Sequence, residues 1–238
     1  MKPVGKTMKR NRYVAPILDA SMTLTLLLLM VYSLIGESVH EVLGTLMLVF
    51  LVVHHVWNIR WSRSVLRGKY TVYRYGKTLL VLLCLTTILG SAVSGVILSK
   101  HLFTWLPLET GRSLARTIHL FCAYWGFMFM SLHLGLHCGV LFAGLRERYL
   151  KNSMKLKWLV RIIICAMAVY GGYAFFERNL PNYMTLKVRF VFFDFNEPVI
   201  IFIADYFCIM ILYCAMGNYI FQGIRRLTTR RNTKSTDT

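Results

Sequence analysis

Four of the seven histidines in this 238-residue chain repeat one spacing: His40 with His54 and His119 with His133, fourteen residues apart in each pair. Neutral imidazole is a common metal ligand, and its two ring nitrogens take separate roles. Along an α-helix, fourteen residues rise about 21 Å and return to within about 40° of the starting face. Two such helices side by side would offer imidazoles to each other at two matching depths. An iron porphyrin takes one axial imidazole from each side. The spacing therefore suits two stacked bis-histidine haems, an outer one on His40 and His119 and an inner one on His54 and His133. A closed six-coordinate iron favours electron transfer, because no position is open to substrate. Zinc fits less well, since it wants four converging ligands, often with cysteine or carboxylate among them.

The elements that must carry these residues are membrane helices. The chain is 56% hydrophobic, and its apolar residues fall in runs of about twenty, the length that crosses roughly 30 Å of hydrocarbon. Six helical spans are predicted near residues 15–36, 39–58, 78–99, 117–143, 158–176 and 198–222. The formal net charge of +18 could suggest nucleic acid, but the basic residues sit in short connections and sort by side. Twenty-two of the 28 Lys and Arg fall in the N-terminal arm, the second and fourth connections and the C-terminal tail; six fall on the opposite side. The positive-inside rule puts the richer side, with both termini, in the cytoplasm. Spans two and four then run in the same direction, with His40 and His119 outermost. The first apolar run follows a basic stretch but is too long for a signal peptide and lacks a small-x-small cleavage site, so it reads as a retained anchor.

Other residues could support such a site. An ionisable side chain at membrane depth warrants a functional hypothesis, although interfacial or packing histidines are an alternative. Gly44, Gly126 and Gly135 would admit a porphyrin edge or let helices pack closely. Arg112 and Arg116 could pair with propionates of the outer haem, and Arg60 and Arg63 with those of the inner one, or all four could simply set topology. His137 is one turn beyond His133 and is its rival as inner ligand, though it lies about 27 Å from His119 along a helix. His55 is rotated about 100° from His54, and His101 stands at an outer helix end. Asp205 in the last span could orient a partner, bind a quinone head group or pair with an arginine; Glu41 could support a ligand or carry a proton. The six cysteines form no C-x-x-C or C-x-x-C-H motif, so any haem would be held without a c-type covalent link.

The segments Ser38–Val39–His40–Glu41–Val42–Leu43–Gly44, His54–His55–Val56–Trp57–Asn58–Ile59–Arg60–Trp61, Tyr124–Trp125–Gly126–Phe127 and His133–Leu134–Gly135–Leu136–His137 resemble the flavinylation-associated cytochrome family, long known only as a domain of unknown function. Phe192–Phe193–Asp194–Phe195–Asn196–Glu197–Pro198 and Asp205–Tyr206 extend the resemblance over nearly the whole chain. Cys138 departs from it, standing where Trp is expected. The resemblance implies a bacterial integral membrane b-type cytochrome that passes electrons towards extracytoplasmic proteins bearing covalent flavin. The paired histidines are also similar to those of cytochrome b in quinol–cytochrome c oxidoreductases, an architectural analogy that does not establish quinol chemistry. The chain itself has neither G-x-G-x-x-G nor a covalent-flavin acceptor motif.

These readings set the expectations. The fold class is an all-α integral membrane protein with six transmembrane helices: a four-helix haem-binding bundle over 1–145, a two-helix extension over 146–227 and a short disordered polar tail over 228–238. The function is electron transfer across the bacterial cytoplasmic membrane through two non-covalent b haems, from a cytoplasmic-side donor or quinol to an outer flavin-bearing or other redox partner. Lipid is a further partner, a bound quinone a possible one, and nucleic acid is not expected. The alternatives are a quinol-oxidising anchor subunit of a larger oxidoreductase and, third, a haem-free scaffold or transporter.

Overall fold

A computed structural model describes residues 14–65, 67–68, 70–106, 110–149 and 153–234, without the side chains of 138–149 and 229–234. All secondary structure in the described residues is helical. The order is α1 (Val14–Leu29), α2 (Tyr32–Ile35), α3 (Glu37–Trp57), α4 (Ile59–Ser64), α5 (Val72–Leu98), α6 (Arg112–Tyr149), α7 (Met154–Glu177), α8 (Leu180–Met184) and α9 (Val199–Lys234). Five stretches are long and apolar enough to cross a membrane: Glu37–Trp57, Val72–Leu98, Arg112–His137, Met154–Glu177 and Val199–Thr228. Large apolar side chains stand outward along them, among them Val52, Val93, Ile162 and Val169. This is the build of a multi-pass membrane protein, whose outer face is solvated by lipid.

The first expected span is interrupted. α1 has 16 residues, about 24 Å of helix, and ends where the amides of Met30 and Val31 bond three residues back, to Leu27 and Leu28. α2 then adds one turn before Gly36, whose φ of +93° lies in a region glycine enters without a Cβ penalty. The remaining boundaries have ordinary chemical causes. The Thr71 and Ser153 side chains accept from the amides of Arg74 and Leu156, capping α5 and α7, as N-cap hydroxyls do. At the other end of α7, Asn179 adopts the left-handed conformation (φ 59°) and Pro181 stands in the first turn of α8.

The chain divides into two compact units, Met1–Lys69 and Tyr70–Thr238. In the first, α1 packs along α3, with α2 and α4 at the ends of α3. In the second, α6 packs on α5 and α9, and α7 packs on α9. The boundary expected at 145/146 followed the distribution of histidines; α9 packs directly on α6, and α7 packs on α9. α9 reaches Lys234, into the stretch read as a tail, and residues 235–238 lie outside the described residues.

Glycine sets the closeness of the second unit. A Cβ at Gly135 of α6 would overlap the Cys214 carbonyl of α9, and one at Gly217 of α9 would overlap the Leu132 carbonyl of α6. Gly171 of α7 meets the Cys208 backbone of α9 in the same way. Bare backbone thus touches backbone at both crossings, as small residues allow in membranes. Phe127, Ser131, Ile209 and Tyr206 fill the interior between them, each exposed by 1% or less.

Candidate functional site

In the first unit, α3 carries His40 and His54. His54 Nδ1 lies 3.1 Å from Asp19 Oδ1 on α1. An ionised carboxylate only accepts hydrogen bonds, so Nδ1 carries the proton and donates. In a neutral ring the Nε2 lone pair is then left for a metal. The Asn58 Nδ2 group donates to the His54 carbonyl at 2.8 Å and ends the helix there. His40 meets Tyr32 of α2 edge to face, with ring centroids 5.4 Å apart. Gly44, one turn beyond, has no described atom within 4 Å of where its Cβ would stand. His55 donates Nδ1–H to Leu51 O of its own helix at 3.0 Å, and its ring lies edge to face with that of His54, centroids 5.9 Å apart.

In the second unit, α6 carries His119 and His133. His119 Nδ1 lies 2.9 Å from Ser91 O and 3.1 Å from Ser94 Oγ, both on α5. A backbone carbonyl cannot donate, so here too Nδ1 holds the proton. The Ser94 hydroxyl donates in turn to Gly90 O at 2.6 Å, which leaves its oxygen to accept from the ring. A Cβ at Gly95 would come within 3.4 Å of His119 Cε1, so the small residues of α5 admit the imidazole. His133 meets His137 edge to face at 4.9 Å; His137 is exposed and His133 half-buried. The histidine spacing recurs through Gly126, midway between His119 and His133, whose Cβ would sit 3.2 Å from Thr87 Oγ1 of α5. Gly126 and Gly135 are therefore helix-packing residues, and Gly44 alone of the three faces open space.

The surrounding basic residues are exposed. Arg112 opens α6 and donates to Leu98 O at 3.2 Å, tying α6 to the end of α5, and Arg116 stands exposed one turn later. His101 lies exposed between these helices. Among the described residues no three His, Cys, Asp or Glu side chains converge as a metal-ion group; two axial imidazoles on separate helices would not form such a group. The described cysteines form no disulfide.

Asp205 pairs with an arginine. Only 6% exposed, it accepts from Tyr170 Oη at 2.7 Å and from Arg178 Nε at 2.8 Å. Arg178 Nη1 also donates to Glu197 at 2.6 Å, with a second bond from Nη2 to the same carboxylate. The guanidinium lies 4.7 Å over the Phe202 ring. Hydrogen bonds to the Glu197 carboxylate chiefly, against the opposing effect of burial, hold Arg178 above its ordinary pKa. Nearby, Trp125 Nε1 donates to Met184 O at 2.9 Å, and Tyr124 stacks on Tyr183 at 5.1 Å. The Phe192–Pro198 and Asp205–Tyr206 segments thus belong to a clamp that seats the α7–α9 connection on the helices.

Asp19, Ser91 and Ser94 were not singled out from the sequence. Asp19 carried a signal, being the lone acid within the first apolar run. The serines carried none, because hydroxyls bonding their own helix are common in apolar spans. In comparisons with known proteins, the chain matches no family model, no curated protein and no solved structure.

Proposed function

We propose that this chain is a six-span b-type cytochrome of the bacterial cytoplasmic membrane, similar to the flavinylation-associated family. Its role is to carry electrons outward to a flavin-bearing or other redox partner. Its ligands are His40 and His119 for an outer haem and His54 and His133 for an inner one, with His137 the rival of His133. The observation that carries this reading is the matched state of His54 and His119. Each lies on a different long apolar helix, and each spends its Nδ1–H on a fixed acceptor. A hydrogen-bond acceptor on the other ring nitrogen fixes the tautomer and ring orientation of a metal-ligating histidine.

When bound, the haems would supply one-electron redox chemistry. The chain's own contribution is to hold imidazoles, to exclude water with apolar helices, and to place Arg112 and Arg116 at the outer end of α6 for propionates. Outward electron movement would follow the usual inside-negative potential, by about 2.3 kcal/mol per 100 mV for a complete crossing. Six spans require α1, its turn and α2 to cross together; both termini would then share one side, which the positive-inside count supports as the cytoplasm.

Purified wild-type protein should show b-type bands in a reduced-minus-oxidised spectrum and two haems per chain. His54→Ala and His119→Ala should each lose one. A haem-free wild type, or unchanged haem content in both variants, would sink the proposal.

A further inference from the structure

The Nδ1 partners of the two held histidines differ in charge: the anionic carboxylate of Asp19 for His54, and a neutral carbonyl and hydroxyl of α5 for His119. Within the first unit, the Asp19 side chain is 40% exposed and that of His54 28%. A carboxylate in an apolar helix is costly without a partner, and the facing imidazole supplies one. The Asp19 Oδ1 contact is also 35 residues distant in sequence, so it joins α1 to α3 at one definite level.

Resting on the cytochrome reading above, we infer that Asp19 is a positioning residue that holds the inner haem site at a lower reduction potential than the outer one. A carboxylate accepting from Nδ1–H raises the basicity of the ligating nitrogen, and its negative charge favours the more positive state of a nearby iron. Both effects stabilise the oxidised inner site. Hydrogen bonding around an axial ligand is one of the protein's levers on potential. The carbonyl of Ser91 orients His119 equally well but brings no net charge. Reducing equivalents supplied on the cytoplasmic side, by a quinol or another donor, would accordingly partition towards the outer site.

Asp19→Asn separates charge from structure, because the amide oxygen still accepts from Nδ1–H. Spectroelectrochemistry at fixed pH on the full-length, detergent-purified protein should resolve two components. In Asp19→Asn the lower one should move up, with about a tenfold higher ratio of reduced to oxidised at a given poise, or about 59 mV for one electron. The upper one should stay in place. Unmoved components in Asp19→Asn, or equal shifts in both, would overturn the assignment and leave Asp19 a structural contact. Haem-free wild type would instead defeat the cytochrome reading. Imidazole ¹⁵N shifts of His54 would then decide the positioning role alone: a protonated Nδ1 in wild type that becomes a tautomer mixture in Asp19→Ala supports it, and identical spectra refute it.

Discussion

Replacing Arg178 by methionine should destabilise the second unit more than any other single change in the α7–α9 clamp. The guanidinium makes one hydrogen bond to Asp205, with Nη2 in ion-pair contact with the same oxygen, and two hydrogen bonds to Glu197. Its removal leaves two carboxylates facing each other, with side chains only 8% and 17% exposed. Breaking a buried pair by deleting one partner costs about 3–5 kcal/mol, because the charge left behind is uncompensated. The partial exposure of Glu197 argues for the lower end, about 3 kcal/mol. Tyr170→Phe removes one hydrogen bond to a charged group, worth about 1.5–3 kcal/mol when buried. Tyr170 is 45% exposed, so its loss should fall towards or below the lower end of that range. At 2–4 °C per kcal/mol for a chain of this length, Arg178→Met should lower the unfolding midpoint by about 6–12 °C. The assay is thermal unfolding in one detergent, followed by tryptophan fluorescence, with Trp125 reporting from its bond to Met184. Asp205→Asn in the Arg178→Met background should recover part of the loss by removing one stranded charge. Equal midpoints for Arg178→Met and Tyr170→Phe, or no recovery in the double variant, would refute the clamp.

The glycines give a contrast. Gly135→Leu should cost about 3 kcal/mol or more, since its side chain must displace the α9 backbone. Gly44→Leu should leave the unfolding midpoint within about 0.5 kcal/mol of wild type while lowering haem content; equal effects of the two on midpoint would contradict the packing described. A tag at the N-terminus should be protected in intact cells if α1 and α2 complete a crossing, and accessible from outside if only five spans cross.

Much of this architecture was legible because a membrane forces backbone bonds to close within each helix, so length and hydropathy locate spans directly. The second to sixth expected spans overlap the five long apolar helices, differing mainly at their ends. The first did not read correctly as one rod. Its break at Met30–Val31 lies in the run LLLLMVYSLIG, where no proline or glycine interrupts the apolar residues until Gly36. The cause is local, a tightening to three-residue hydrogen bonds that composition does not encode. Asp205 was equally open from sequence. Its partner Arg178 is 27 residues away, and only the fold shows that Arg178 joins two acids.

The histidines show what a periodicity can and cannot specify. Spacing of fourteen residues puts His119 and His133 on one stripe of α6, but the same stripe contains Gly126 against Thr87 of α5. The face is therefore shared between helix packing and imidazole presentation, and His119 can serve both only because Ser91, Ser94 and Gly95 leave it room. A ligand histidine has two nitrogens to satisfy, and sequence periodicity addresses the direction of one. Asp19 and the α5 serines address the other. They come from helices that carry neither histidine pair, so a pattern confined to α3 and α6 could not reveal them. If that division of labour is right, Ser94→Leu should disturb the outer site as Asp19→Ala disturbs the inner. The added bulk would push the His119 ring from its carbonyl acceptor while the rest of α5 stays apolar and helical. Haem loss confined to one site per variant, read by stoichiometry beside the His54→Ala and His119→Ala proteins, would confirm that each level has its own support. Loss of both haems in either variant would mean that these contacts hold the helices together and nothing finer.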